Sequence, residues 1–510
     1  MTQAQAQQAF MGIDIGTTST KSVVFGPGGD QLGSYSVEYP LLRDRLDWAE
    51  QDPETIVDAV VDSVRGALAA SDVGAEKVAG VGMGSAMHAL IAVDAGGRPL
   101  TRSITWADGR SEEEARRLRA TPEGHGIYRR TGTPIHPMSP LPKLIWLREH
   151  RPDVWSASAK FVSIKEYVVF RLFGEWVVDH AIATATGLME LDRLAWDEEA
   201  LRIAGISSEQ LSAVQSATYR LQGMDVGLAD RMGLPVDTPF FLGGSDGALA
   251  NMGVGAIGPG EMAVTIGTSA TVRMMTDRPL TDERQRTFCY HVADTAYIIG
   301  GATNNGGIAL QWMREAFFGA ESQTEDVLEA ASRVAAGADG LLFLPYLTGE
   351  RAPIYTSEAR GTYFGAHLGH KREHFARAGL EGVMLALASV AGALRDLAGE
   401  TKEVRASGGF ARSPLWKQML ADVLGMEVQV SEVTEASALA SAALAMQGLG
   451  ELGNWREIKA WIPIAERLEP NAHHAERYRE LLEIHEELRG QLAGSFSAVA
   501  RFQRKYAERE

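Results

Sequence analysis

Residues 12–21 read GIDIGTTSTK, and an abbreviated copy, TIGTSAT, recurs at residues 265–271. In each copy apolar, β-branched residues flank a Gly-Thr-[Thr/Ser] turn, which predicts a hairpin between two strands. Glycine lets the backbone approach an anion closely, and the hydroxyl and N–H groups that follow can donate to phosphate oxygens. Either turn alone is equally compatible with an ordinary hairpin. The pair predicts two related halves that face one nucleotide, and hence the use of ATP.

An acidic residue precedes only the first of the two turns. Asp14 lies on the predicted strand that leads into it. A carboxylate there can hold Mg²⁺ directly or through water, because hard cations take carboxylate and phosphate oxygens as ligands. The chain contains no Gly-Lys dipeptide, so the Walker class of NTPases is excluded. The sequence therefore predicts ATP and Mg²⁺ bound without a Walker loop.

Length and composition predict a globular protein of two domains. The 510 residues exceed what one hydrophobic core usually holds, and 45% are hydrophobic and 23% charged. The net charge of −17 opposes binding to nucleic acid or to anionic membranes, so neither is an expected partner. Cys289 is the only cysteine, which excludes an intrachain disulfide and favours a reducing compartment. No secretion signal or membrane span is predicted, and we expect a cytoplasmic protein.

Strand-like and helical segments alternate along the chain, which is typical of an α/β protein. The sequence predicts strands near 34–39, 78–82, 340–345 and 404–409, a helix at 53–70, and a strand at 104–110 that ends in charged and aromatic groups. The segment PFFLGGSDG at 239–247 indicates a strand that opens into a Gly-rich turn, and we place the boundary between the halves there. The predicted domains are 10–243, 244–455 and a helical extension at 456–510, which we expect to dock on the chain's own surface.

Specific motifs resemble one family of enzymes. The two similar halves, the two turns and a late Gly-Gly turn are similar to the actin-like ATPase fold, in which two α/β halves of ribonuclease H-like topology enclose a cleft. Residues 138–150, MSPLPKLIWLREH, resemble the first signature of the FGGY carbohydrate kinases, and GTYFG at 361–365 begins the second, from which Ala366 and Gly379 depart. The resemblance covers about residues 11–450. It implies a sugar kinase with its active site in the interdomain cleft.

The resemblance assigns roles position by position. Asp246, in GGSDG, matches the general base and a metal-side acid, and Asp14 matches the acid that organises Mg²⁺. An Asp after Gly-Ser also caps ordinary turns. The residues matched to the nucleotide are Gly16, Thr17, Thr18, Ser19, Lys21, Gly267, Thr268, Ser269, Gly307, Gln311, Gly408, Gly409 and Ser413. Those assigned to the sugar, besides Asp246, are Met87, His88, Trp106, Asp108, Arg110, Lys165, Asn304 and Asn305.

Within the family, segments such as SAMHALIAVD, ITWADGRS and PYLTGERAP look most like the gluconate kinases. That resemblance implies transfer of phosphate from ATP to the 6-hydroxyl of D-gluconate, with Lys165 or Arg110 as the cation for its carboxylate. A kinase of xylulose or of another pentulose or polyol is the nearest alternative. An actin-like or chaperone-like ATPase would lack an acid in GGSDG, and an inactive sugar sensor would have lost Asp14 or Asp246. The sequence leaves the oligomeric state open, a homodimer included.

Overall fold

The computed structural model describes residues 8–45, 47–319, 321–433 and 435–507. Within these ranges the chain forms two large β-sheets flanked by helices and five two-stranded sheets. The strands are β1 (Ala9–Ile15), β2 (Ser19–Phe25), β3 (Gln31–Glu38), β4 (Glu50–Gln51), β5 (Val78–Ser85), β6 (Ile91–Val93), β7 (Ser103–Ile104), β8 (Lys160–Val162), β9 (Val177–Asp179), β10 (Met189–Glu190), β11 (Ala195–Trp196), β12 (Ala213–Gln215), β13 (Arg220–Leu221), β14 (Phe240–Ser245), β15 (Glu261–Ile266), β16 (Ala270–Thr276), β17 (Phe288–Ala293), β18 (Ala296–Thr303), β19 (Leu342–Leu344), β20 (Thr362–Phe364), β21 (Glu403–Ser407), β22 (Val428–Ser431) and β23 (Ile464–Leu468).

Helices connect and cover these strands. The α-helices are α1 (Pro53–Ser71), α2 (Glu112–Arg119), α3 (Pro122–Thr131), α4 (Pro140–His150), α5 (Pro152–Ala157), α6 (Ile164–Phe173), α7 (His180–Thr184), α8 (Glu198–Ala204), α9 (Val226–Met232), α10 (Asp246–Gly253), α11 (Gly307–Met313), α12 (Thr324–Ser332), α13 (Arg372–Ala398), α14 (Pro414–Leu424), α15 (Ala436–Leu449) and α16 (Ala472–Ala507). Short 3₁₀ segments cover Ala75–Lys77, Ser208–Gln210, Ala338–Gly340, Gly409–Arg412 and Trp455–Trp461, and a π-helical turn covers Arg314–Phe318.

The two large sheets repeat one topology. Their strand orders are β13-β14-β5-β1-β2-β3 and β17-β18-β16-β15-β21-β22-β23. Read from β3, the first sheet runs β3-β2-β1-β5-β14-β13, and the second runs β18-β16-β15-β21-β22-β23 with the same sequence of antiparallel, antiparallel, parallel, parallel and antiparallel pairings. The prediction of two related α/β halves is confirmed. Each Gly-Thr turn therefore occupies the same place in its own sheet.

Helix α15 joins the halves. It follows β22 of the second sheet in sequence but packs against β1 and β5 of the first. The approach is so close that a Cβ on Gly12 would lie 1.9 Å from the carbonyl oxygen of Ala438, and one on Gly82 1.9 Å from that of Ser441. Glycine at both strand positions is therefore a condition for this packing.

The element predictions hold best where a segment carries its own start signal. Helix α1 begins after Asp52, whose side chain accepts from the N–H of Thr55, with Pro53 at the first helical position. The strand predicted at 104–110 shrinks to the two residues of β7. The predicted boundary at 243/244 falls inside β14, and the predicted extension from 456 includes β23, which pairs with β22 in the second sheet.

Two helices of the second half bear on expectations from the sequence. Helix α13 is long and apolar enough to span a membrane by length and composition, contrary to the expectation that no segment reaches that limit, but it is almost wholly buried in the core. Helix α16 docks on α13 and α14 of the same chain. The buried Tyr478 hydroxyl donates to Glu381 and accepts from Arg377 of α13. The described part of α16 is therefore held by the chain's own core, as expected.

Candidate active site

Two cavities lie beside the Gly-Thr turns: an inner one between the halves and an outer cleft in the second half. The inner cavity has a volume of about 200 Å³. It is lined by residues of both halves, among them Thr17, Met87, His88, Trp106, Asp246, Ser269, Thr271, Arg273, Tyr290, Arg351 and Tyr355. Since a water molecule occupies about 30 Å³ of liquid, this space holds roughly six or seven waters, or one small polar molecule. Four predicted sugar residues, Met87, His88, Trp106 and Asp246, line it.

The outer cleft belongs to the second half and has a volume of about 750 Å³. Six of the residues matched to the nucleotide line it: Gly267, Thr268, Gly307, Gln311, Gly409 and Ser413. Gly408 stands beside it with φ +104°, and a Cβ at this position would lie 2.4 Å from the carbonyl oxygen of Ile266. The fold thus brings three separated segments of the second half together around one cleft.

The backbone of both turns is arranged to donate. In the first, the N–H of Gly16 donates to the carbonyl of Ser19 at 2.9 Å, and in the second that of Gly267 donates to Ser269 at 2.9 Å. Within the described ranges, the N–H groups of the two residues after each glycine have no acceptor in the protein. Such clusters of free N–H groups are the donors that bind phosphate oxygens.

Two carboxylates lie beside the first turn. The pKa of Asp14 is raised to about 7, mainly by burial, with further contributions from the negative charges of Asp246 and Glu435. Burial also raises the pKa of Asp246, while the charge of Arg273 opposes the shift. Asp246 begins α10, and its Oδ1 accepts the N–H of Gly247 at 2.6 Å. The buried Oδ1 of Asp14 has no partner among the described residues, and an unpaired carboxylate oxygen is a donor that Mg²⁺ takes, so the residues present fit a magnesium ion.

Comparison with known proteins identifies the family. The models of the N-terminal and C-terminal domains of the FGGY family of carbohydrate kinases match residues 9–253 and 262–449. The chain belongs to this family. A gluconokinase of Bacillus subtilis is 43% identical over 97% of the chain and 98% of that relative, whereas a xylulose kinase of the same species is 28% identical over 94% and 96%. Two solved structures from Lactobacillus acidophilus, a gluconate kinase and a ligand-bound xylulose kinase, each share 35% identity and a TM-score of 0.93 over 96% of this chain and 99% and 100% of theirs.

The chain is therefore a carbohydrate kinase, and its first-half turn is tied to the inner cavity. The indole Nε1 of Trp106 donates to the Thr17 hydroxyl at 2.8 Å, which leaves the hydroxyl proton free to be donated. Lys21 pairs with Glu435 at 2.9 Å, just before α15. Thr18 is exposed, and Ser19 opens β2. The sequence did not single out Glu435, which carries negative charge to the acid pair.

His88 occupies a backbone conformation that needs support. Its backbone φ angle is +68°, a conformation that residues other than glycine adopt at an energetic cost. Its Nδ1 bonds the carbonyl of Ala185 at 2.7 Å, so Nδ1 carries the proton and Nε2 is left as an acceptor. Burial lowers the pKa of His88 to about 3, so the ring is neutral.

Lys143 supports the His88 turn through contacts with backbone carbonyls. Its buried Nζ lies within hydrogen-bond distance, 2.7 to 3.2 Å, of four carbonyls, those of His88, Ile104, Thr105 and Met138, which share its N–H donors. Burial lowers its pKa to about 7. Lys143 ties the His88 turn to the Trp106 loop in this kinase. Its place in the first family signature was the signal that could have identified it.

Two sequence-predicted substrate residues form a separate ion-pair cluster. Arg110 pairs with Asp108 at 2.8 Å and Glu50 at 2.6 Å, and its guanidinium lies 3.7 Å from the ring centre of Trp48. Asp108 also accepts the N–H of Ala49 at 2.7 Å. Neither residue lines the inner cavity. The charge of Arg110 is already neutralised by two acids, so these contacts do not support its predicted role toward a substrate carboxylate, which stays a prediction.

Lys165 is also paired within the protein. Its side chain is 2% exposed, and Nζ donates to Asp179 Oδ2 at 2.7 Å and to the carbonyl of Gly244 at 3.0 Å. It does not line the inner cavity. Lys165 therefore holds Gly244, near the end of β14 and two residues before Asp246. Its role as a substrate cation stays a prediction that these contacts do not support.

The two asparagines assigned to the sugar support a loop instead. The buried Asn305 donates to Gly349 and Glu350, and its Oδ1 accepts from the backbone of Leu347 and Thr348. Asn304 accepts from Arg351 Nε at 2.8 Å and donates to the carbonyl of Thr348. The amide of Asn305 is fully used by these contacts, which do not support its predicted sugar contact; that contact stays a prediction. Asn304 lies beside the inner cavity and positions Arg351, which does line it.

Proposed function

We propose that this kinase transfers the γ-phosphate of ATP to the 6-hydroxyl of D-gluconate. The observation that carries the proposal is the inner cavity itself. It places the carboxylate of Asp246 and two arginines, Arg273 and Arg351, around a space that opens beside both turns. The greater similarity to a gluconokinase than to a xylulose kinase of one species favours the sugar acid.

Asp246 acts as the general base. Its Oδ1 is occupied by the N–H of Gly247, so Oδ2 is the atom that faces the substrate hydroxyl and takes its proton. A raised pKa brings its basicity closer to neutral pH, where proton transfer is most effective. The positive charge of Arg273 opposes this rise in the pKa of Asp246.

The two turns hold the triphosphate by their free N–H groups and by the hydroxyls of Thr17, Thr268 and Ser269. Such preorganised donors neutralise charge on the phosphates without reorganisation during the transfer. Asp14 and Asp246 would hold Mg²⁺, which neutralises charge on the phosphate oxygens when bound. The adenosine would lie in the outer cleft between Gly307–Gln311 and Gly408–Ser413. Closure of the halves then excludes water from the reacting groups.

A substrate panel tests the proposal directly. ADP release is measured for the wild-type protein with gluconate, xylulose, ribulose, glycerol and glucitol, and the product is checked for phosphate on the terminal carbon. We expect the highest kcat/KM with gluconate, by at least about tenfold, the effect of one added charge–charge contact. A preference for xylulose would instead support the pentulose kinase, which the second Lactobacillus structure keeps as the alternative.

A further inference from the structure

One arginine of the inner cavity lacks the partners that buried arginines usually have. Arg273 lies on β16, two residues beyond Thr271 and four beyond Ser269, both of which line the same cavity. Its Nε is buried and donates to no atom of the described residues. No carboxylate of the described chain lies within 4.0 Å of its guanidinium. A buried charge without such a partner is costly unless a ligand supplies one.

The surroundings of Arg273 indicate where that ligand lies. Its Nη2 would be 3.1 Å from a Cβ on Gly247, which places the guanidinium beside the turn that carries Asp246. Asp246 influences it through space but forms no ion pair with it. A substrate can therefore lie between the two groups, with the reacting hydroxyl toward Asp246.

Two further polar groups of this cavity are unpaired. The hydroxyls of Tyr290 and Tyr355 are buried, and neither has a hydrogen-bond partner among the described residues. Both line the inner cavity with Arg273. Three unpaired polar groups in one small cavity match a ligand that carries both a charge and several hydroxyls, since buried polar groups are normally paired.

The other arginine of the cavity differs in this respect. Arg351 donates from Nε to Asn304 and from Nη2 to the carbonyl of Thr303, and its guanidinium lies 4.9 Å from the ring centre of Trp106. Its geometry is therefore fixed by the protein. Arg351 places a fixed positive charge on the wall of the cavity, whereas the N–H donors of Arg273 are free to bind a ligand.

We infer that Arg273 is the specificity residue that binds the carboxylate of a sugar-acid substrate, with the hydroxyls of Tyr290 and Tyr355 completing the site. This inference rests on the proposed function, because it names the group that selects an acid over a neutral sugar. An arginine suits the task since its planar guanidinium can bind a carboxylate through two parallel hydrogen bonds.

The test compares Arg273→Met and Arg273→Lys with the wild type. The readouts are kcat/KM for gluconate and for xylulose, and calorimetric binding of gluconate and of the uncharged glucitol. With Arg273→Met we expect a loss of about 10²- to 10³-fold in kcat/KM for gluconate, the usual effect of removing one partner of a buried charge pair, and less than about tenfold for neutral sugars. Lysine at 273 should recover part of the loss. Tyr290→Phe should weaken gluconate binding by about fivefold, as for one hydrogen bond.

The main competing role is support of Asp246. If Arg273 only keeps Asp246 ionised, then Arg273→Met lowers activity on every substrate alike and moves the acidic limb of the pH–rate profile to higher pH. That result overturns the inference and leaves the proposed function intact. A wild-type preference for xylulose overturns both. Unchanged ADP binding by the variants shows that they are folded, and if Arg273→Met does not fold, the gluconate-to-glucitol binding ratio of Arg273→Lys and Tyr290→Phe decides.

Discussion

The two Gly-Thr hairpins have the same place in their sheets but are held by different means. In the first, the carbonyl of Gly16 accepts from the hydroxyl of Tyr39 at 2.8 Å, and that of Thr17 accepts from the side chain of Gln51 at 2.5 Å. In the second, the carbonyl of Gly267 accepts from the backbone N–H of Gly307 at 2.7 Å. Side chains support the first turn, and the start of α11 supports the second.

Their chemical surroundings differ as well. Asp14 stands two residues before Gly16 and pairs across the ladder with Lys21, whereas Thr265 stands two residues before Gly267 and pairs with Thr271. Thr17 faces the inner cavity, and Thr268 faces the outer cleft. Under the proposed function, one backbone design therefore serves two tasks: the first turn joins the phosphates and the metal-side acids to the sugar, and the second joins the phosphates to the adenosine.

The largest expected effect concerns Asp246, the acid that lies between the two turns. Asp246→Asn keeps the shape and the contact with Gly247 but removes the proton acceptor. We expect turnover to fall by about two to four orders of magnitude, as for a lost general base, with ATP still bound. Single-turnover rates and ADP binding are the measurements. Turnover within about threefold of wild type would remove Asp246 from the mechanism.

The next effect tests the difference in charge between the hairpins. Asp14→Asn should lower kcat/KM by about 10²- to 10³-fold, because a preorganised charge at the phosphates is lost. The matched change at the second hairpin, Thr265→Val, should cost less than about tenfold, since its hydroxyl contacts Ser407 and not the acid pair. Titration with Mg²⁺ should show a raised half-saturation only for Asp14→Asn. Equal losses would mean that the two hairpins share the metal.

The fold could be predicted from the sequence because its signals are local. Each hairpin is specified by about ten consecutive residues, and α1 by Asp52 and Pro53 at its start. The two segments matched to the nucleotide, Gly307–Gln311 and Gly408–Ser413, lie at one cleft because they keep their order along a known fold, and their contacts with a nucleotide stay a prediction. The domain boundary was less accurate because β14 passes without a break from buried strand into the Asp246 turn.

The cations of the site could not be predicted in the same way. Whether an arginine or lysine is free to bind a ligand depends on partners that are distant in sequence. Arg110 forms an ion pair with Glu50, and Lys165 donates to the carbonyl of Gly244. Arg273, however, could have been predicted from the sequence. Side chains alternate along a strand, so residues 269, 271 and 273 share one face, and a charge on the face that begins at the second turn points to the site.

The raised pKa of Asp14 predicts that both stability and Mg²⁺ binding depend on pH at the first hairpin. Its folded value of about 7 lies above its ordinary 3.8, so the magnesium-free protein binds an extra proton between these values and loses stability as pH rises from about 4 to about 7. Mg²⁺ requires the ionised form, so its binding should weaken by up to about tenfold per unit below pH 7. Burial also raises the pKa of Glu350 to about 7, so Glu350 adds to the loss of stability with rising pH but not to the pH dependence of Mg²⁺ binding. Melting curves with and without Mg²⁺ measure the two effects. Asp14→Asn should abolish the pH dependence of Mg²⁺ binding.

A smaller effect should separate the two tasks of the turns. Thr17→Val and Thr268→Val each delete one hydroxyl and keep the shape, at a cost of about 1 kcal/mol, or roughly fivefold. We expect both variants to raise KM for ATP, because both hydroxyls are proposed phosphate donors. Only Thr17→Val, whose hydroxyl also lines the inner cavity, should raise KM for the sugar as well. Steady-state kinetics with each substrate varied in turn provide the measurement. The same pattern in both variants would contradict the division between the cavities.

The smallest expected effect tests the claim that side chains support the first turn. Tyr39→Phe removes the hydroxyl that donates to Gly16 and bonds Thr20 at 3.0 Å, leaving the partly buried carbonyl of Gly16 with one partner fewer. We expect a loss of about 1 to 2 kcal/mol in the free energy of unfolding and a decrease in kcat of less than about threefold, because the turn's own N–H groups remain. The control is Tyr35→Phe, four residues earlier on β3. Tyr35 is 50% exposed, and loss of its hydroxyl should leave stability unchanged. Denaturant unfolding measures the free energy of unfolding of the two variants. If Tyr39→Phe is as stable as Tyr35→Phe, then the first turn keeps its shape without this side chain, and the contrast with the backbone-held second turn concerns charge alone.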